Sequence, residues 1–282
     1  MSEITDYLEN LLLNWLFTGG SLTAPQTWAA LATAAPTEAG VVTGEPTIGG
    51  YARKRVFQDG ATAPFWDTPA EVAEALRVTN NALFQFPINP GGSVWGNISH
   101  VLLLDASSAG NLLLYSALDT TVNVAAPAGD DGLEFAANAL KVDLLCPTDY
   151  IEDKIIKHLF RATAYTPEQT WLGALTTAPD ASGSGAVEVS GGSYARQRIF
   201  QDGTTSPYWT LGAGALAGAV RNTQDIYYPQ ATADWGEIVA VGVYTASSGG
   251  NLSWAANLPT KRFVARGSTL RLFANEIVLA IA

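Results

Sequence analysis

The chain has 282 residues, a net charge of −11, 48% hydrophobic residues and only 15% charged ones. That length accommodates two domains of ordinary size, each with its own core, and the acidic balance argues against nucleic acid, because phosphate binding needs clustered Lys and Arg. No run of about 18 apolar residues occurs, so no membrane span is expected. The single cysteine, Cys146, precludes an intrachain disulfide and has no evident His or Asn/Asp partner, so it reads as a buried or incidental thiol.

The first predicted element is a helix. Ile4, Leu8, Leu11, Leu12, Trp15 and Leu16 recur at three- and four-residue steps and form one apolar stripe. Ser2 or Thr5 can cap it, the acids Glu3, Asp6 and Glu9 suit its N-terminal dipole, and Thr18-Gly19-Gly20 ends it. An acidic start is unlike a secretory signal, which begins basic, so no targeting segment is expected. "TWAALAT" (27–33) then reads as a short apolar strand. "GYARKRVFQDG" (50–60) alternates Tyr51, Arg53, Arg55 and Phe57 on one face, and ends in an Asp-Gly turn. "HVLLLDASSAGNLLLYSAL" (100–118) is a strand–turn–strand unit, and "LEFAANALKVDL" (133–144) is one hairpin or two short strands.

The series then begins again. "TDYIEDKIIKHLF" (148–160) repeats "TDYLENLLLNWLF" (5–17) at an offset of 143, and predicts a second helix over about 149–161 with Lys157, His158 and Arg161 in its last turn. Trp171 repeats Trp28, and "SYARQRIFQDG" (193–203) repeats the tyrosine–arginine phrase. "FQDGTTSPYW" (200–209) repeats "FQDGATAPFW" (57–66), and Trp235-Gly236 repeats Trp95-Gly96. "TASSGGNLSWAANLPT" (245–260) and "LRLFAN" (270–275) repeat the remaining segments. Units this long make a tandem duplication rather than a solenoid. The expected domains are 1–145 and 146–282. One helix followed by six to eight short strands in each makes the fold mainly β: two homologous antiparallel β-sandwich domains, each with an N-terminal helix.

Catalytic chemistry is sought and not found. His100 and His158 have no second His or Cys at metal-ligand spacing. "GAGALAG" (212–218) lacks the dinucleotide-loop spacing and a βαβ context. "GSG" (183–185) is not a nucleophile elbow. The Asn97 and Asn251 sequons are chance without a secretion signal. Asp59 and Asp202 recur, but no second acid at a matching position joins them, so each is read as the cap of a tight turn in which Gly60 or Gly203 supplies the positive φ. The expectation is no catalytic residue, no cofactor and no metal. Arginine is scarce, so Arg53 and Arg55, with Arg196 and Arg198, either line a solvated strand face or pair with carboxylates in the domain or on a neighbour. Up to residue 145 there are 5 basic and 15 acidic residues, net −10; the remainder has 10 and 11, net −1, with a basic run at Lys261, Arg262, Arg266 and Arg271. That asymmetry fits docking of one end on a surface or head-to-tail self-association.

The helix "DYIEDKIIKHLFRATAYTP", the run "TWLGALTTAPDASGSGAVEVSGGSYARQ", "YPQATADWG" and the closing "TLRLFANEIVL" together resemble a family of tailed-bacteriophage virion proteins, whose members are labelled tail fibre proteins or look like head decoration (cement) proteins. The resemblance covers the second half almost throughout and the first half with drift, "FPINPGGSVWG" standing for "YPQATADWG". It implies a non-enzymatic structural role, first as a cement protein bridging capsomers on the outer capsid surface, alternatively as a tail fibre or baseplate component binding the host surface. The implied partners are the major capsid protein and further copies of this chain, with no nucleic acid and no membrane. Candidate contact residues are Tyr51, Arg53, Arg55, Phe65 and Trp66, and in the second repeat Tyr194, Arg196, Arg198, Tyr208 and Trp209, since aromatics and Arg are enriched at binding hot spots. Ordinary core and turn packing is the competing reading of the same residues. Removing Arg196 and Arg198 together is expected to weaken particle association without unfolding the second domain.

Overall fold

A computed structural model of the chain describes residues 3–67, 70–72, 75–87, 94–124, 133–144, 148–180, 182–212 and 218–281. Cys146 and most of "GAGALAG" lie outside the described residues. The first repeat runs β1 (Glu3–Ile4), α1 (Asp6–Phe17), β2 (Thr27–Ala32), β3 (Lys54–Val56), β4 (Ala70–Val72), β5 (Ala75–Thr79), β6 (Phe84–Gln85), β7 (Gly96–Leu104), β8 (Leu112–Val124), β9 (Glu134–Phe135) and β10 (Lys141–Asp143). The second runs α2 (Asp149–Arg161), β11 (Thr170–Thr177), β12 (Val187–Glu188), β13 (Gln197–Ile199), β14 (Trp209–Leu211), β15 (Ala219–Asn222), β16 (Ile226–Gln230), β17 (Gly236–Tyr244), β18 (Leu252–Val264), β19 (Thr269–Leu272) and β20 (Val278–Ala280). The fold is mainly β, as the alternation of apolar residues requires.

Two compact units result. Unit 1 comprises Met1–Leu8, Thr23–Leu144 and Ile155–Ala164; unit 2 comprises Glu9–Leu22, Leu145–Lys154 and Tyr165–Ala282. Each helix therefore gives residues to both units. Unit 1 contains a five-stranded sheet in the order β1-β8-β7-β2-β3, a three-stranded sheet β10-β5-β4, and the pair β6-β9. Unit 2 contains β12-β11-β17-β18 with β13 also on β11, then β14-β15-β20 and the pair β16-β19. The named strands pair antiparallel, and the long hairpins run from Gly96↔Val124 to Leu104↔Leu112 and from Gly236↔Val264 to Tyr244↔Leu252, with register shifts after Ile98 and Leu103 and after Ile238 and Val243.

The closing segment of each repeat is two strands rather than a hairpin. β9 pairs with β6 and β10 with β5; β19 pairs with β16 and β20 with β15. One asparagine per unit directs this split. Asn80 donates Nδ2 to the carbonyls of Ala82 and Ala136, and accepts from Leu140 N, each at 2.8 Å. Asn222 repeats the pattern with Gln224, Phe273 and Ile277. Both side chains are fully buried, where an amide must find partners or cost stability.

Thr5 and Thr148 precede the helices. Each hydroxyl faces an N–H three residues on at 3.5 Å, too long for a strong cap, and donates instead to a β carbonyl: Thr5 to Leu112 at 2.6 Å, Thr148 to Ser253 at 3.0 Å. They pin each helix start to a strand as much as they cap it. No helix among the described residues is long and apolar enough to cross a membrane.

Candidate functional site

The two arginines of the repeated phrase have different surroundings. Arg53 donates Nε and Nη2 to the two carboxylate oxygens of Glu45, both at 2.8 Å, and Nη1 to the carbonyls of Ala106 at 2.8 Å and Ala109 at 2.5 Å. Arg196 does the same with Glu188 at 2.7 and 2.6 Å, and with the carbonyls of Ala246 and Gly249 at 2.7 and 2.6 Å. Their side chains are 9% and 7% exposed. Each fork thus ties the turn of the long hairpin, Ala106–Ala109 or Ala246–Gly249, to a glutamate eight residues upstream of the arginine.

Tyr51 and Tyr194 complete the lock. Tyr51 donates to Glu45 at 3.2 Å and accepts from Leu31 N at 2.9 Å; Tyr194 donates to Glu188 at 2.6 Å and accepts from Ala174 N at 2.8 Å. The Tyr51 ring lies 5.2 Å edge-on to Trp95 and the Tyr194 ring 5.3 Å from Trp235. Burial pushes both phenols far above their ordinary range, so they stay donors. Glu45 and Glu188 were missed in the sequence, although they are matched acids at the same offset of 143. Both are occupied by arginine.

Arg55 and Arg198 are placed otherwise. They sit on β3 and β13, each opposite a tryptophan in register: Arg55↔Trp28 and Arg198↔Trp171. The Arg55 guanidinium lies 4.5 Å from the Phe57 ring centroid and 5.9 Å from that of Trp28. Arg198 lies 4.4 Å from Phe200 and 5.8 Å from Trp171. All six side chains are half-buried. The Nε of each arginine is buried with no hydrogen-bond partner among the described residues. A guanidinium has five donors and no acceptor, so an idle buried one is costly. The same vacancy in both repeats is not an accident of one loop.

The remaining candidates divide between core and rim. Trp66 and Trp209 are 0% and 1% exposed and donate Nε1 to Thr27 and Thr170 at 2.8 and 2.9 Å. They are packing residues in the folded chain. Trp95 and Trp235 are buried too, whereas Trp28 and Trp171 are not, so repetition of a tryptophan does not by itself mark core. Phe65 and Tyr208 are half-buried beside the turn. The turn carboxylates behave as caps: Asp59 accepts from the amides of Ala61 and Thr62, both at 2.9 Å, and from the Thr62 hydroxyl at 2.6 Å, and Asp202 repeats this. Gly60 and Gly203 hold φ of 69° and 70°, which a side chain would strain.

The Thr62 hydroxyl, then the two amides, lower the Asp59 carboxyl to about 2. A depressed value means that the turn gains stability above the unfolded value near 3.9 and loses it as pH falls through about 2. NMR titration of Asp59 is expected to give a midpoint near 2; a midpoint near 4 would contradict the cap.

His100 Nδ1 lies 2.8 Å from Ser99 Oγ, and His158 Nδ1 3.3 Å from the Thr163 carbonyl. No cluster of three or more metal-ligating side chains occurs among the described residues. The basic run of the second repeat is largely committed: Arg262 pairs with Glu276, Arg271 with Asp225, and Lys261 lies 3.8 Å from Glu237.

No curated protein matches this sequence. One family model, Podophage GP4 fiber I protein gp80, matches residues 3–143 and again residues 147–280. Two successive matches cover nearly the whole chain, and each contains the arginine lock, the aromatic-flanked arginine and the aspartate turn. The chain belongs to the Podophage GP4 fiber I protein gp80 family and carries its domain twice in tandem.

Proposed function

We propose that this chain is a non-enzymatic structural component of a phage fibre, attached through protein contacts that its two repeats make in parallel. The family is one of phage virion structural proteins. Two of the acid pairs that recur in both repeats are engaged structurally, Glu45 and Glu188 by arginine forks and Asp59 and Asp202 by turns. The observation that carries the proposal is the pair of half-buried, aromatic-flanked arginines, Arg55 and Arg198, whose Nε atoms have no hydrogen-bond partner among the described residues. A carboxylate or carbonyl from a virion partner meets the partly exposed guanidinium in a charge-assisted bond beside aromatic contact area. Two such contacts on one chain reinforce each other, since the first raises the effective concentration of the second.

Arg55→Ala with Arg198→Ala is expected to lower the melting temperature by only a few degrees, because a half-exposed cation–π contact contributes about 0.5–1 kcal/mol. Incorporation into particles should fall roughly tenfold or more, the loss of one or two charge-assisted bonds. Unchanged incorporation would sink the docking role. The pair first considered, Arg196 with Arg198, now separates, since Arg196 belongs to a buried ion pair and Arg198 does not.

Head decoration on the major capsid protein is the second reading. It is favoured by two long repeats, each a set of antiparallel sheets, rather than a run of short shaft repeats. Quantitative mass spectrometry of purified particles, scaled to the major capsid protein, separates the two. A small copy number matching the symmetry of the tail supports the fibre. About one copy per capsid subunit supports decoration of the outer capsid surface, and absence from particles removes both.

A further inference from the structure

Unit 1 contains a cleft of about 240 Å³ that none of the preceding contacts uses. Its polar walls are Arg77, Ser116, Asp119, Lys141 and Asp143, and its apolar walls include Phe135, Val101 and Leu140. Arg77 donates Nε and Nη2 to the two Asp143 oxygens at 2.6 and 2.8 Å, across the in-register pair of β5 and β10. This fixes a flat donor–acceptor plate in the wall. Phe135 is held by a stacked contact with Phe84, 5.2 Å between centroids.

The second repeat gives the internal control. Asn80 and Asn222 make the same three bonds, so counting along β5 and β15 sets Arg77 against Ala219. Leu140 and Ile277 are the matched donors to those asparagines, which sets Lys141 against Val278 and Asp143 against Ala280. The hairpin repeat sets Asp119 against Pro259. All four charged positions of the cleft are apolar in the other repeat. The arginine–glutamate locks, the aspartate turns and the asparagine bonds, by contrast, recur in both repeats. The charges of the cleft are therefore present in one repeat only, and the matched strands of the other repeat pair in the same way without them.

We infer that this cleft binds a neutral polyhydroxylated ring, such as a hexose unit of a glycan. Two cations and two anions leave the lining with no net charge, which offers an ionic ligand no preferred sign. Alternating donors and acceptors match hydroxyl groups, each of which both donates and accepts. A planar Arg–carboxylate pair can engage two neighbouring hydroxyls at once, and Phe135 offers apolar surface to the ring's C–H face. The volume is below the 300–1,000 Å³ typical of drug-sized sites and suits a single ring. The inference does not depend on the fibre reading and stands for a virion protein at either location.

The test uses the full chain and ligand-observed saturation-transfer NMR with glucose, galactose, mannose and N-acetylglucosamine as probes at millimolar concentration. Glucuronate and inorganic phosphate are the charged controls. At least one neutral sugar should show transfer, and Asp119→Ala and Lys141→Ala should each weaken it about tenfold or more. Both side chains are exposed, so circular dichroism should report an unchanged fold. Arg221→Ala in the second repeat should leave binding as it was. Absence of transfer from all four sugars overturns the inference. So does binding confined to the anions, or neutral-sugar binding that survives both cleft variants.

Discussion

Arg53→Ala is expected to cost unit 1 about 3–5 kcal/mol in urea denaturation, the usual penalty for leaving one member of a buried ion pair behind. The magnitude follows from the geometry. All three guanidinium nitrogens are engaged, two on Glu45 and one on the loop carbonyls of Ala106 and Ala109. Removal strands a carboxylate that is only 19% exposed and releases the hairpin loop. Arg53→Lys should recover little, because an ammonium cannot reproduce the two-pronged contact and reach two carbonyls as well. Arg53→Ala combined with Glu45→Gln should be more stable than the sum of the single losses predicts, since the double variant buries no uncompensated charge. Arg196 and Glu188 should behave alike in unit 2. A loss below about 1 kcal/mol for Arg53→Ala would mean that the pair acts as an ordinary surface bridge.

Much of this architecture is legible in the sequence because it depends on local spacing. The second helix is found at Asp149–Arg161, where its apolar period ends, and the aspartate turns are what Asp-Gly chemistry predicts. The duplication is visible as a constant offset. What spacing could not give is which partner each side chain finds across the fold. Period-two alternation puts Tyr51, Arg53 and Arg55 on one face, and cannot say that Arg53 meets Glu45 while Arg55 meets only rings. The offset itself held an unused clue, since Glu45 and Glu188 recur with the two arginines. The closing strands were ambiguous for a related reason. β9 and β10 are adjacent in sequence, yet each is claimed by a distant strand, and Asn80 decides between these pairings only once folded. The unit 1 cleft was invisible because Arg77, Asp119, Lys141 and Asp143 are scattered over 67 positions.

Phe17→Ala should destabilise unit 2, although Phe17 lies in the first repeat by sequence. Its ring is 3% exposed and meets Trp209 edge-on at 5.6 Å and Trp254 at 5.3 Å. Its counterpart, Phe160, lies 143 positions on, is 1% exposed and meets Trp66 at 5.2 Å in unit 1. Deleting either ring should cost about 3–5 kcal/mol, the usual loss for a buried phenylalanine. Amide exchange reads the two units separately. Phe17→Ala should lower protection along β17 and β18, and Phe160→Ala along β7 and β8. The opposite pattern, with Phe17→Ala felt only in β7 and β8, would show that each helix end serves the core of its own repeat. Sequence alone cannot choose between these outcomes. Both cores present a tryptophan at the matched position, Trp66 or Trp209, and the apolar stripe of either helix fits one as well as the other. In the folded chain the end of α1 belongs to unit 2 before the chain returns to unit 1 at Thr23, and the end of α2 belongs to unit 1 before the chain returns to unit 2 at Tyr165.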